Sequence, residues 1–129
     1  MYTPTVLRHF KNPRNQGKMK NPTVIGEAGS KECGDTMKLY FKIASSKFPI
    51  YQKKEKIIED IKFQTLGCAA AIASSSVLTE MVKGRRLDKV ATITKQDVVK
   101  KLGGLPDNKI HCSLLAVDAL KDAISKVEK

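Results

Sequence analysis

Leu66-Gly67-Cys68-Ala69-Ala70-Ala71-Ile72-Ala73-Ser74-Ser75-Ser76 is the stretch whose reading decides the fold. Ahead of it, Ile57 to Leu66 places Ile61, Phe63 and Thr65 on one face, the period of a half-buried strand. Beyond it, the small-residue pattern Ala69 to Val82 predicts a helix, closed by Lys83-Gly84 with a basic residue and a glycine at its C-terminus. Strand therefore turns into helix at Gly67-Cys68. A thiol stands at the helix start, where unpaired backbone N–H groups and the dipole's positive end favour thiolate.

Upstream, Met37, Leu39, Phe41 and Ile43 alternate with Lys38, Tyr40 and Lys42, which predicts a second strand with one solvated face. A shorter strand is expected over Val24-Ile25-Gly26-Glu27. Residues 44–56, lysine-rich and broken by Pro49, read as an extended hairpin connection. At the start of the chain, Thr3-Pro4 caps a short helix with Val6, Leu7 and Phe10 on its apolar face, ending before Asn12-Pro13. His9 falls on the polar side and reads as a surface residue.

The chain after Gly84 is helical. A short helix is expected at Leu87-Asp88-Lys89-Val90-Ala91. A cap at Thr94-Lys95-Gln96-Asp97 precedes Val98, Val99 and Leu102, with Gly103-Gly104 closing that helix. Leu105-Pro106-Asp107-Asn108-Lys109 is a turn. After Ile110-His111-Cys112, the residues Leu114, Val117, Leu120, Ala123, Ile124 and Val127 form an amphipathic pattern. Strands followed by helices give an α+β fold class: a small three-stranded antiparallel sheet with helices packed on one face, in one domain spanning 1–129.

A net charge of +11 and a pI near 9.7 raise the question of nucleic acid. The lysines, however, are spread through every segment, aromatics make up 5% and tryptophan is absent, which is poor material for stacking bases. This surface suits acidic protein partners better. No apolar run approaches the ~20 residues of a membrane span, and Met1 to Val6 lacks the pattern of a secretory signal. With three cysteines, an odd number, the reading is a reducing, cytoplasmic setting in which thiols are kept for use.

Each cysteine falls at a junction. Cys33 lies in a glycine-flanked loop before a strand, Cys68 where strand becomes helix, and Cys112 at the opening of the last helix. Each is expected to be partly exposed, with backbone N–H groups nearby to stabilise thiolate. The separations are far from C-x-x-C, so spacing alone says little. The chemistry says more. Three thiols, with Asp35 two residues after Cys33 and His111 beside Cys112, offer five donors to a four-coordinate thiophilic centre, either zinc or iron–sulfur. Three thiols with interchangeable weaker partners suit a site that is loaded and unloaded. Bland readings stand beside this: Asp35 as a turn cap, His111 as a surface histidine, Lys109 as a turn lysine whose charge could sit beside a thiolate. Ser74-Ser75-Ser76 has no acid–base partner pattern and reads as small residues allowing close helix packing.

On these residues the sequence resembles the iron–sulfur cluster assembly scaffold family of the IscU and NifU N-terminal type. The matching motifs are His9-Phe10-Lys11-Asn12-Pro13-Arg14-Asn15, Cys33-Gly34-Asp35, Gly67-Cys68-Ala69-Ala70-Ala71-Ile72-Ala73-Ser74-Ser75-Ser76 and His111-Cys112-Ser113. The resemblance implies the same α+β fold and a scaffold without turnover of its own. On it a 2Fe–2S cluster is built from iron, electrons and sulfur delivered by a cysteine desulfurase, then passed to apo iron–sulfur proteins. It implies Cys33, Cys68 and Cys112 as cluster ligands, Cys112 as persulfide acceptor, and Asp35 or His111 as fourth ligand. It also leaves room for zinc in the cluster-free form and for a cluster-loaded homodimer. The family's Leu-Pro-Pro-Val-Lys segment, read by a dedicated Hsp70/J-type chaperone system, is altered here at Asp107 and Asn108, with Lys109 kept. A zinc-binding sulfur acceptor is the alternative function, and a basic nucleic-acid-binding domain a remote one.

Overall fold

The computed structural model describes residues 2–30, 35–45 and 56–127. Cys33, Gly34 and most of the lysine-rich 44–56 connection lie outside the described residues. The elements run α1 (Pro4–Lys11), β1 (Val24–Ser30), β2 (Asp35–Ser45), β3 (Lys56–Leu66), α2 (Ala69–Val82), α3 (Leu87–Val90), α4 (Lys95–Lys101) and α5 (Ile110–Val127), with a single 3-10 turn at Asp107–Lys109.

The sheet is an antiparallel meander in the order β1-β2-β3. Met37, Leu39 and Phe41 on β2 lie opposite Thr65, Phe63 and Ile61 on β3, and the apolar members of this set are buried under the helices. A register shift between Lys42 and Ile43 then brings Ile43 opposite Ile58, keeping the apolar face inward to the end of the sheet. β1 and β2 are longer than the alternation predicts, because Ala28, Gly29 and Ser30 pair with Met37, Thr36 and Asp35. Asp35, expected in a loop, is thereby the first residue of β2. On the outer face Lys38 and Lys42 are exposed as expected, but Tyr40 is buried, with its hydroxyl donating to Gln64 Oε1 at 2.6 Å.

Both sheet edges are covered. On β1, the Asp122 carboxylate accepts the Glu27 N–H at 2.9 Å and Lys126 donates to the Ile25 carbonyl at 2.8 Å. On β3, the Phe63 N–H donates to Asn15 O and the Gly17 N–H to Phe63 O, while Ile58 exchanges bonds with Arg85 and Gly84. These edge groups are thus paired rather than left free.

α2 is the central element, packed by α1, α4, α5 and β3. Ala70, Ala71, Ala73, Ser74 to Thr79 and Val82 are all buried, so the helix has no broad solvent face. Small side chains allow that close approach, as expected for the serine run. Ser75 donates to the Ala71 carbonyl at 2.7 Å, with Met37 Sδ 3.2 Å from the same hydroxyl oxygen, and Thr79 donates to Ser76 O at 2.7 Å. The helix stops as predicted: Lys83 is the C-cap, and Gly84 takes φ +81, a region open to glycine. At Thr94 and Asp97 a reciprocal capping box opens α4, and Gly103 (φ +78) and Gly104 (φ +111) follow its end.

His9 corrects the sequence reading. It is buried rather than on the surface, with Nδ1 2.8 Å from Ser76 Oγ and Nε2 3.5 Å from Glu80 Oε1. Ser76 Oγ also accepts the Arg14 N–H at 2.7 Å, which leaves its own hydrogen for Nδ1. Burial holds the imidazole pKa below its ordinary value, against the opposing pull of Glu80. The serine run that shortens the α1–α2 distance also supplies the histidine's partner.

Gly26 shows how closely α5 lies on β1: a Cβ there would run into the Ala119 carbonyl and the Ala123 methyl. Gly26→Ala is expected to destabilise the fold by about 3 kcal/mol or more in urea unfolding, since backbone cannot move aside as a side chain can.

Candidate metal centre

The end of β3 and the first turns of α2 and α5 bring two of the three cysteines together. Cys68 is the N-cap of α2, with extended backbone (φ −80, ψ 177) and no hydrogen bond from its side chain back to the helix. Its sulfur is therefore not committed to the cap. Cys112 is the third residue of α5, whose first turn follows the 3-10 turn Asp107–Lys109. The two Sγ atoms are 3.4 Å apart, a thiol–thiol contact well beyond the ~2.05 Å of a disulfide.

The two thiols have different surroundings. Cys68 is half-buried, whereas Cys112 is 1% exposed and packs with Ala70 and Ala71, beside Tyr2 and Leu105. Burial, then the Cys68 thiol, push the Cys112 pKa up to about 12. The Lys109 charge pulls the other way and the Asp35 carboxylate adds to the rise. Cys112 in the metal-free chain is therefore a thiol at neutral pH. The expectation of an exposed, thiolate-favouring residue fails there, because the helix start is covered by apolar residues that the cysteine spacing does not reveal.

Of the other sequence-predicted residues, His111, Asp35 and Lys109 lie near this pair. His111 is exposed, with Nε2 3.7 Å from Cys112 Sγ. Asp35 lies beside Gly67, where an added Cβ would stand 3.5 Å from the Asp35 carboxyl carbon and 3.0 Å from the Ala71 methyl. Gly67 thus lets the β2 start and the α2 start meet. Leu66, next to it, is 70% exposed, so the mouth of the site is an apolar edge open to solvent. Among the described residues, which exclude Cys33, no three His, Cys, Asp or Glu side chains already converge enough to hold a metal ion. The sulfur pair itself fits one: two thiolates on a tetrahedral zinc at 2.3 Å stand about 3.8 Å apart, a small opening from the 3.4 Å contact. Sulfur, nitrogen and oxygen donors together suit a thiophilic ion.

Two junction thiols of unequal burial, with a carboxylate, an imidazole and an ammonium group round them on a small α+β sheet, define a domain with a paired-thiol site. The comparisons with known proteins say which. The family model described as NifU-like N terminal domain matches residues 1–129, and the chain belongs to that family. An Archaeoglobus fulgidus protein, Iron-sulfur cluster assembly scaffold protein IscU 1, is 49% identical over 124 residues, covering 96% of this chain and 74% of its own. The Aquifex aeolicus scaffold protein IscU is 42% identical over 123 residues, covering 95% of this chain and 73% of its own. Among solved structures, a nitrogen-fixing NifU-like protein (N-terminal) from Brucella abortus matches the fold with a TM-score of 0.71 at 23% identity, covering 98% of this chain and 93% of that one.

The protonation of Cys112 is directly measurable. In metal-free protein its alkylation rate should rise roughly tenfold per pH unit from pH 7 to 10 without a plateau, because only thiolate reacts. A plateau near pH 8, read by mass spectrometry of the Cys112 peptide, contradicts the burial argument.

Proposed function

We propose that the chain is a scaffold for assembling a labile 2Fe–2S cluster from iron, desulfurase-derived sulfur and electrons from an external donor, and that it hands the cluster to apo iron–sulfur proteins without turnover of its own. The observation that carries this reading is the Cys68–Cys112 contact at the meeting point of β3, α2 and α5, on a chain whose relatives are named as such scaffolds. Cys33, two residues before Asp35, is the proposed third thiolate. Asp35 or His111 is the fourth ligand. A carboxylate or imidazole holds iron less firmly than a fourth thiolate, so release costs less.

Cys112 is the proposed persulfide acceptor. Its buried thiol must lose a proton before it reacts, and Lys109 is the described residue whose charge favours that loss. The desulfurase and apo-protein partners follow from the same reading, and the exposed Leu66 beside Gly67-Cys68 gives a partner an apolar contact at the mouth of the site. Among the described residues no helix is long and apolar enough to cross a membrane. Zinc on the same thiols is the proposed cluster-free state. Asp107 and Asn108 are exposed in the 3-10 turn, so a chaperone that reads this turn meets polar side chains there.

Anaerobic reconstitution with iron, sulfide and a reductant should give a coloured protein with about two irons per cluster. Cys68→Ser should retain less than a tenth of that colour. A wild-type protein that stays colourless while binding one zinc tightly contradicts the scaffold reading and supports the sulfur-acceptor alternative.

A further inference from the structure

Away from the thiols, α2, α3 and α4 enclose an open groove of about 360 Å³. Its floor is aliphatic and thioether: Val77 and Met81 from α2, Val90 from α3, and Ile93 just beyond it. Three exposed cations, Arg85, Lys89 and Lys101, stand round that floor, and none makes an ion pair among the described residues. The acidic wall residue, Glu80, is engaged at 3.5 Å with His9 on the neighbouring side of α2. We propose that this groove docks an acidic segment of a partner protein, which seats an aliphatic side chain between Met81 and Ile93 and sets its carboxylates against Arg85, Lys89 and Lys101.

Charge and shape both select that occupant. Unpaired cations round an apolar floor are complementary to a segment carrying carboxylates on either side of an apolar anchor. Nucleic acid is a poor match, because the floor has no aromatic ring on which a base could stack. The volume is near the lower end of the roughly 300–1,000 Å³ range of small-molecule sites, and three helices leave it open at the surface. A side chain presented by a larger partner brings additional contacts beyond the groove, which a small amphiphile lacks. Met81 suits the role of an adaptable floor, since its unbranched thioether re-packs against differently shaped anchors.

The groove is also separate from the cluster site. Met81 lies 13 residues along from Cys68, which at 1.5 Å per residue is about 20 Å down the helix. A partner here leaves the thiols uncovered, so docking and cluster handling can take place on the same molecule. The docking claim does not depend on the scaffold reading, and its test does not use the thiols.

The probe is a labelled peptide of two heptads, each Glu-Leu-Glu-Glu-Leu-Leu-Glu, titrated into the full chain at low salt. Binding is expected with methyl shifts in the NMR spectrum confined to Val77, Met81, Val90 and Ile93. The Lys89→Glu/Lys101→Glu variant should bind at least about tenfold more weakly, both substitutions being on exposed side chains that leave the fold intact. Met81→Asp should weaken binding to a similar degree through the floor. Three results overturn the proposal: equal affinity for wild type and the double variant, shifts centred on the outer sheet face at Lys38 and Lys42, or dodecanoate moving the four methyl groups while the peptide does not.

Discussion

A helix buried over most of its surface has to satisfy its polar side chains within the protein and leave room for its neighbours, and α2 meets both demands with alanines and serines. Ser75 and Thr79 return their hydroxyls to the helix's own carbonyls, while Ser76 turns outward to His9 and the Arg14 N–H. Ser74 Oγ is the one buried side-chain polar atom left without a partner among the described residues. Because α1, α5 and the sheet all close on α2, its first turn cannot wander. Cys68, its N-cap, is accordingly placed by the core rather than by a loop.

That placement sets the chemistry. Cys68 stands at the N-cap of α2, while Cys112 sits against Ala70 and Ala71, in surroundings that resist charge. One sulfur is half-open to solvent and the other is stored as a protonated thiol. On the proposed scaffold function, a cation held between them would reverse the balance at Cys112, since a metal favours thiolate strongly enough to release the proton. Lys109 acts in the same direction and Asp35 against it. Burial thus keeps Cys112 protonated while Cys68 remains half-open to solvent.

Much of this was legible in the residues. The alternation at Met37, Leu39 and Phe41, the small-residue run from Ala69, the Lys83-Gly84 stop and the Thr94–Asp97 capping box each have local causes, and each stands where the pattern puts it. The junction position of Cys68 follows from the same logic, but its contact with Cys112 comes from the tertiary fold, since the cysteine spacing alone says little. His9 did not, because its partner is Ser76, 67 residues away, and a helix face that looks polar by periodicity can be buried by a polar neighbour. The burial of Cys112 is likewise tertiary: Tyr2 and Leu105 come from distant segments to cover it. The lengths of β1 and β2 depended on pairing partners rather than on their own alternation, and Asp35 joined the sheet for that reason.

The proposed scaffold function requires a cluster that is held only long enough to be passed on. The most direct measurement is transfer: reconstituted protein mixed anaerobically with an apo 2Fe–2S ferredoxin, followed by circular dichroism with a strong iron chelator present. The account predicts that the ferredoxin spectrum grows in as the scaffold spectrum decays, to near-stoichiometric yield, and that Asp35→Ala slows the exchange. A cluster retained by the wild-type protein, or lost entirely to the chelator with no holo-ferredoxin formed, contradicts it.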